Sequence, residues 1–153
     1  VTVTATLVAG PPCSGKNYYV AHHKDTGDLV VDFDALMYAV GGDDYYSHPA
    51  ALKRYVYEAR DAVLRTWLGR KDVDLWVVLG APKRADREWY ARRGFRVVVM
   101  DADRATCLRR ARLERPRLWQ QYVANYFTAF EAPPVTDPVP AGAPPLASVS
   151  RRW

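Results

Sequence analysis

The chain has 153 residues, 49% hydrophobic and 25% charged, with a formal net charge of +5 and a pI near 9.3. That is enough for one domain with a real core and too little for a second, and the basic balance favours polyanionic ligands such as a nucleotide or nucleic acid. No run approaches the roughly 18 apolar residues that a membrane span needs, so no membrane partner is expected. The two cysteines, Cys13 and Cys107, are too few for a disulfide framework and point to a reducing, cytoplasmic setting.

The apolar run from Val3 to Ala9 lacks a basic leader and a cleavage site, and reads as a buried strand. It runs into Gly10-Pro11-Pro12-Cys13-Ser14-Gly15-Lys16-Asn17, the spacing of the phosphate-binding loop G-x-x-x-x-G-K-[ST] with one departure at its last position. The chemistry of that spacing is anion capture. Glycines let backbone N–H groups turn inward, the following helix offers its positive end, and the lysine supplies a movable charge. At Asn17 an amide stands where a hydroxyl normally ligates Mg2+; the ion can accept an amide oxygen, though the longer side chain shifts it or admits a water. Cys13 fills a variable position of the loop, where amides and Lys16 would lower its pKa.

The first helix is expected from Gly15 to about His23, closed by Lys24-Asp25-Thr26-Gly27. Asp28 to Asp32 reads as a short buried strand that delivers Asp32-Phe33-Asp34 to a helix over Ala35 to Val40. In doubly wound sheets ligands sit beyond the C-terminal strand ends, so both carboxylates are expected to face the crevice of the loop; either could instead be only a helix cap. Ser47 is the expected N-cap of a long helix whose inner face carries Leu52, Val56, Ala59, Val63 and Trp67. His22, His23 and His48 have no metal spacing with the cysteines and read as surface or capping residues.

Leu75 to Leu79 is a continuous apolar strand, and Gly80 stands where a Walker B acid would be expected. A helix over Lys83 to Arg93, a strand over Phe95 to Met100 and a helix from Arg104, capped by Asp103, follow. A last amphipathic helix runs from Arg117 to Phe130, the expected lid of the sheet's last face. Between Lys83 and Arg117 twelve basic residues face five acidic ones, and each of these arginines singly reads more readily as solvated surface than as a ligand. Strands separated by helices imply an α/β fold with a short parallel sheet flanked by helices. Six of the eleven prolines lie beyond Glu131, so residues 131–153 read as an extended tail outside the 1–130 domain, one that docks on its own domain or on a neighbour and through which an oligomer can form.

Over about residues 2 to 130 the chain resembles small P-loop kinases: the kinase domain of polynucleotide 5'-hydroxyl kinases and the short kinase-like ATPases of phages of actinobacteria. The residues that carry the likeness are Gly10 to Asn17, the Asp32/Asp34 pair and the arginine-bearing helix after the fourth strand. The resemblance implies a three-layer P-loop NTPase fold, ATP and Mg2+ as cofactors, and transfer of the γ phosphate to a hydroxyl of a nucleotide or nucleic-acid end. It makes Lys16 the phosphate lysine, Asp34 the carboxylate that takes the acceptor's proton, and Asp32, with Asn17, a holder of magnesium. The lid arginines map to Arg109 or Arg110 and to Arg115, with Arg112 on nearly the same helical face. Where the family has an arginine three residues beyond the aspartate, this chain has Met37. Two further readings stay open. One is a weakly or non-hydrolysing nucleotide-binding protein that associates with nucleic acid or a phage-type assembly. The other is a small-molecule kinase whose acceptor pocket is lined by Tyr38, Tyr45, Tyr46 and Tyr55.

Overall fold

A computed structural model describes residues 2–133. Four strands, β1 (Ala5–Ala9), β2 (Leu29–Asp32), β3 (Leu75–Leu79) and β4 (Arg96–Val99), form one sheet in the order β2-β3-β1-β4, with every pairing parallel. The connections carry six helices: α1 (Lys16–His23), α2 (Phe33–Ala39), α3 (Ala50–Arg70), α4 (Arg84–Ala91), α5 (Arg104–Glu114) and α6 (Leu118–Ala129).

The central strands β1 and β3 are almost wholly apolar and buried because both faces of the sheet are covered, whereas the edge strands, β2 included despite its expected burial, leave Val30 and Arg96 exposed. On one face Val8, Val78 and Val98 pack with Met100 under Tyr19 and Val20 of α1. On the other Leu7, Ala9, Val77 and Leu79 pack under Leu64 and Trp67 of α3 and Tyr90 of α4. The expected α3 stripe holds at Val56 and Trp67, while Leu64 rather than Val63 is the buried residue of its middle turns. The chain leaves β1 toward β2 and leaves β3 toward β4, in opposite senses from neighbouring strands. That opens a crevice beyond the carboxyl ends of β1 and β3. At its floor Gly10 N donates to the carbonyl of Gly80 at 3.1 Å.

Three expectations are corrected. The helix after β2 starts at Phe33, not Ala35, which puts Asp34 in its first turn. The N-cap of α3 is Pro49, without a side-chain cap bond; Ser47 turns back instead, its Oγ donating to Asp44 Oδ2 at 2.6 Å. The last helix lies not over the sheet but on α5: Trp119 and Val123 pack with Cys107, Ala111 and Cys13. Asp103 caps α5 as expected, accepting from Thr106 N at 2.7 Å.

Arg87, one of the basic residues read as solvated, is buried. It donates to the carbonyls of Ala81 and Pro82, each at 2.8 Å, and to that of Glu131, and so ties the segment after α6 to the turn after β3. The expected proline-rich tail lies, from residue 134 on, outside the described residues. Among the described residues no helix is long and apolar enough to cross a membrane.

Burial raises the pKa of the Cys107 thiol to about 12, well above its ordinary 9.0, and raises the phenols of Tyr45 and Tyr126 above 10.0. All three hold their protons more tightly folded than unfolded. The stability they contribute is complete below the ordinary values and is lost as pH climbs through the interval up to the folded ones. The urea midpoint is therefore expected to be flat from pH 7 to 8.5 and to fall above about pH 9, as equilibrium unfolding by circular dichroism would record.

Candidate functional site

The loop after β1 keeps its shape through backbone conformations that few residues adopt. Gly15 has φ 95° and leads into α1 in the left-handed region, and Cys13 has φ 63° although it carries a side chain. A β-carbon on Gly10 would lie 2.9 Å from both Met100 Cβ and Ser14 Oγ, against β4's end and the loop itself. Gly10→Ala is thus expected to cost roughly 1–3 kcal/mol, measurable as a shift of the urea midpoint, whereas a midpoint like that of the wild type would mean the loop is not so tightly built.

Lys16 is fully buried, and its Nζ donates to the carbonyls of Gly10 at 2.6 Å and Pro11 at 2.9 Å. The ammonium therefore lies back along the loop, held by two dipoles of the chain that surrounds it. Ser14 Oγ is buried as well and has no hydrogen-bond partner among the described residues. Pro12 and Cys13 are also buried, the latter under α5 and α6.

Both aspartates come to this mouth. Asp32 is the residue before α2, yet its side chain makes no cap bond. Its Oδ2 accepts from Asn17 Nδ2 at 3.2 Å and from the Tyr45 hydroxyl at 3.3 Å, so a helix cap does not account for it. The Tyr45 phenol is held protonated first by its own burial and then by the carboxylates of Asp32 and Asp34. Asp34 is fully buried, and its Oδ1 lies 2.7 Å from Nε2 of His48.

That histidine corrects the sequence reading. His48 is neither a surface residue nor a cap; its side chain is 5% exposed and stands edge-on to Phe33 and tilted against Trp119. Fourteen residues separate it from Asp34, across α2 and an irregular loop, so no periodicity links the two. The only sequence hint is its place beside Pro49, where a long helix begins.

The segment between α2 and α3 thus bridges the mouth. Tyr46 lies edge-on to Trp119 under the Arg115 guanidinium, 4.2 Å from its ring centroid, and its carbonyl accepts from Trp119 Nε1 at 3.3 Å. Of the arginines after β4, Arg110 reaches the loop, donating to the Cys13 carbonyl at 3.0 Å, and the Arg115 side chain is only 4% exposed. Arg109 and Arg112 are exposed on α5. The periodicity explains the split: Cys107, Arg110 and Ala111 share the inward face. Met37 is fully buried with Phe33 and Val56, so the position that carries an arginine in the resembled kinases belongs here to the core. Of the tyrosines named for an acceptor pocket, Tyr45 and Tyr46 are in the mouth, while Tyr38 and Tyr55 are exposed.

No protein-family model matches the chain, and no curated protein is similar to it.

Proposed function

We propose that the chain is a P-loop NTPase of the kinase type that moves the γ phosphate of ATP to a hydroxyl of a nucleotide or nucleic-acid end. The observation that carries this reading is one juxtaposition: a glycine loop around a buried lysine, with two buried carboxylates at the same strand ends. A structural loop has no need of a buried cation, and an unpartnered buried hydroxyl costs about 1–3 kcal/mol unless something else binds it.

The mechanism follows from the charges. Lys16 Nζ exchanges the Gly10 and Pro11 carbonyls for phosphate oxygens, and the backbone N–H groups from Cys13 to Asn17 with the α1 N-terminus surround the triphosphate. Arg110 and Arg115 stand on the lid side, where a guanidinium fork suits paired phosphate oxygens. The acceptor oxygen forms its bond to the γ phosphorus while its proton passes to Asp34. The bond from that phosphorus to the bridging oxygen breaks, and ADP leaves with the electron pair.

Mg2+ fits the residues present. Asn17 and Asp32 point at one place, both supply hard oxygen donors once the Asn17 amide turns, and Mg2+ characteristically completes its shell with water and substrate phosphates. Among the described residues there is no cluster of three acidic, histidine or cysteine side chains that would hold the ion by itself. When bound, the ion would neutralise charge on the outer phosphates.

Incubation with γ-labelled ATP, Mg2+ and a panel of thymidine, TMP and a 5'-hydroxyl oligothymidylate tests the reading. Label is expected on one class of acceptor; none above a blank without protein would refute it. A second reading, a nucleotide-binding protein that associates with nucleic acid, is favoured by the outward arginines Arg109, Arg112 and Arg117. Its mark would be DNA binding that weakens steeply with salt, in the absence of any transfer.

A further inference from the structure

Resting on the phosphotransferase reading, we propose that His48 is the positioning residue of Asp34, fixing the plane of its carboxylate so that the acceptor hydroxyl meets a base already aimed. As the base of that reaction Asp34 is ionised and only accepts hydrogen bonds, so on this reading the Nε2 that lies 2.7 Å from its Oδ1 carries the hydrogen and donates it. The carboxylate torsion is broad and roughly twofold when nothing holds it. A short bond to one oxygen removes that freedom and leaves the other oxygen in one direction.

The histidine is itself held. The Phe33 ring meets the imidazole edge-on at 5.2 Å between centroids, and Trp119 of α6 closes the other side at 6.0 Å. The segment that carries it is locked by Asp44, whose Oδ1 accepts from the backbone N–H groups of Tyr46 and Ser47 at 2.7 and 2.9 Å. Tyr46 is pinned in turn by Trp119 and Arg115. The aim of Asp34 is therefore set from three elements, α2, the 40–49 segment and α6.

In the step itself His48 makes and breaks no bond. The acceptor's proton goes to Asp34 and from there to solvent after ADP has left.

The test is a kinetic split with a conservative rescue. His48→Ala should lower kcat by about 10- to 100-fold, as expected for a misaimed base, with KM for ATP unchanged. His48→Gln, whose amide nitrogen reaches the place of Nε2, should recover most of that loss, and the shorter His48→Asn should not. In an Asp34→Asn background His48→Ala should cost almost nothing further, because the route through Asp34 is already gone. The inference is overturned if His48→Ala keeps the wild-type kcat, if Ala and Gln are equally impaired, or if the Ala variant costs as much without Asp34 as with it. A wild-type protein that phosphorylates no acceptor in the panel overturns the phosphotransferase reading instead, and this inference with it.

Discussion

Asp34→Asn is expected to lower kcat for phosphoryl transfer by roughly a hundred- to ten-thousandfold, with KM for ATP close to that of the wild type. The substitution is nearly isosteric, and the amide oxygen still accepts from His48 Nε2, so the fully buried site keeps its packing. What disappears is the capacity to take a proton. Asp34 is paired with His48, whereas Lys16 Nζ is held by the carbonyls of Gly10 and Pro11, so triphosphate binding should survive. Steady-state kinetics with the accepted hydroxyl, together with the urea midpoint, separates the cases. A variant that folds, binds ATP and turns over like the wild type would exclude Asp34 as the base.

Trp119→Ala is expected to destabilise the fold by about 3–5 kcal/mol, the range for truncating a large buried aromatic. Trp119 is 1% exposed and is where four things meet: Tyr46, His48, Tyr122 and the Arg115 guanidinium. Its indole N–H also satisfies the Tyr46 carbonyl, which the truncation leaves without that donor. The damage should reach function, because the segment bearing His48 loses its wall. Trp119→Phe keeps most of the ring and forfeits the hydrogen bond, and should cost markedly less. Urea unfolding by circular dichroism measures both; a Trp119→Ala loss within about 1 kcal/mol, the size of an ordinary surface substitution, would contradict the packing described.

How far the sequence discloses this molecule depends on which residues are local to one another. Leu75–Leu79 is legible to the residue, because five consecutive apolar positions between a polar turn and Gly80-Ala81-Pro82 have one reading in a sheet covered on both faces. The glycine loop is legible because its signal is a spacing along the chain. Asp32 and Asp34 follow from the rule about strand ends, although the start of α2 at Phe33 does not. His48 and Arg87 escape for the opposite reason. Each acts through partners far off in sequence, His48 on Asp34 across α2 and Arg87 on Glu131 across β4, α5 and α6. Composition actively misleads for Arg87, since an arginine in a basic stretch reads as solvated until carbonyls are seen to surround it. Arg109 and Arg110 are adjacent, and only the contact between α5 and Cys13 shows which of the two reaches the loop.

The most direct measurement is calorimetric titration of the wild type and of Lys16→Ala with a non-hydrolysable ATP analogue and Mg2+. The wild type should bind one equivalent, and loss of the buried ammonium should weaken binding at least about tenfold, the worth of one charge-assisted hydrogen bond. A wild-type protein that takes up no analogue, or a Lys16→Ala variant that binds it equally well, would contradict the claim that the loop from Gly10 to Asn17 exists to hold a triphosphate.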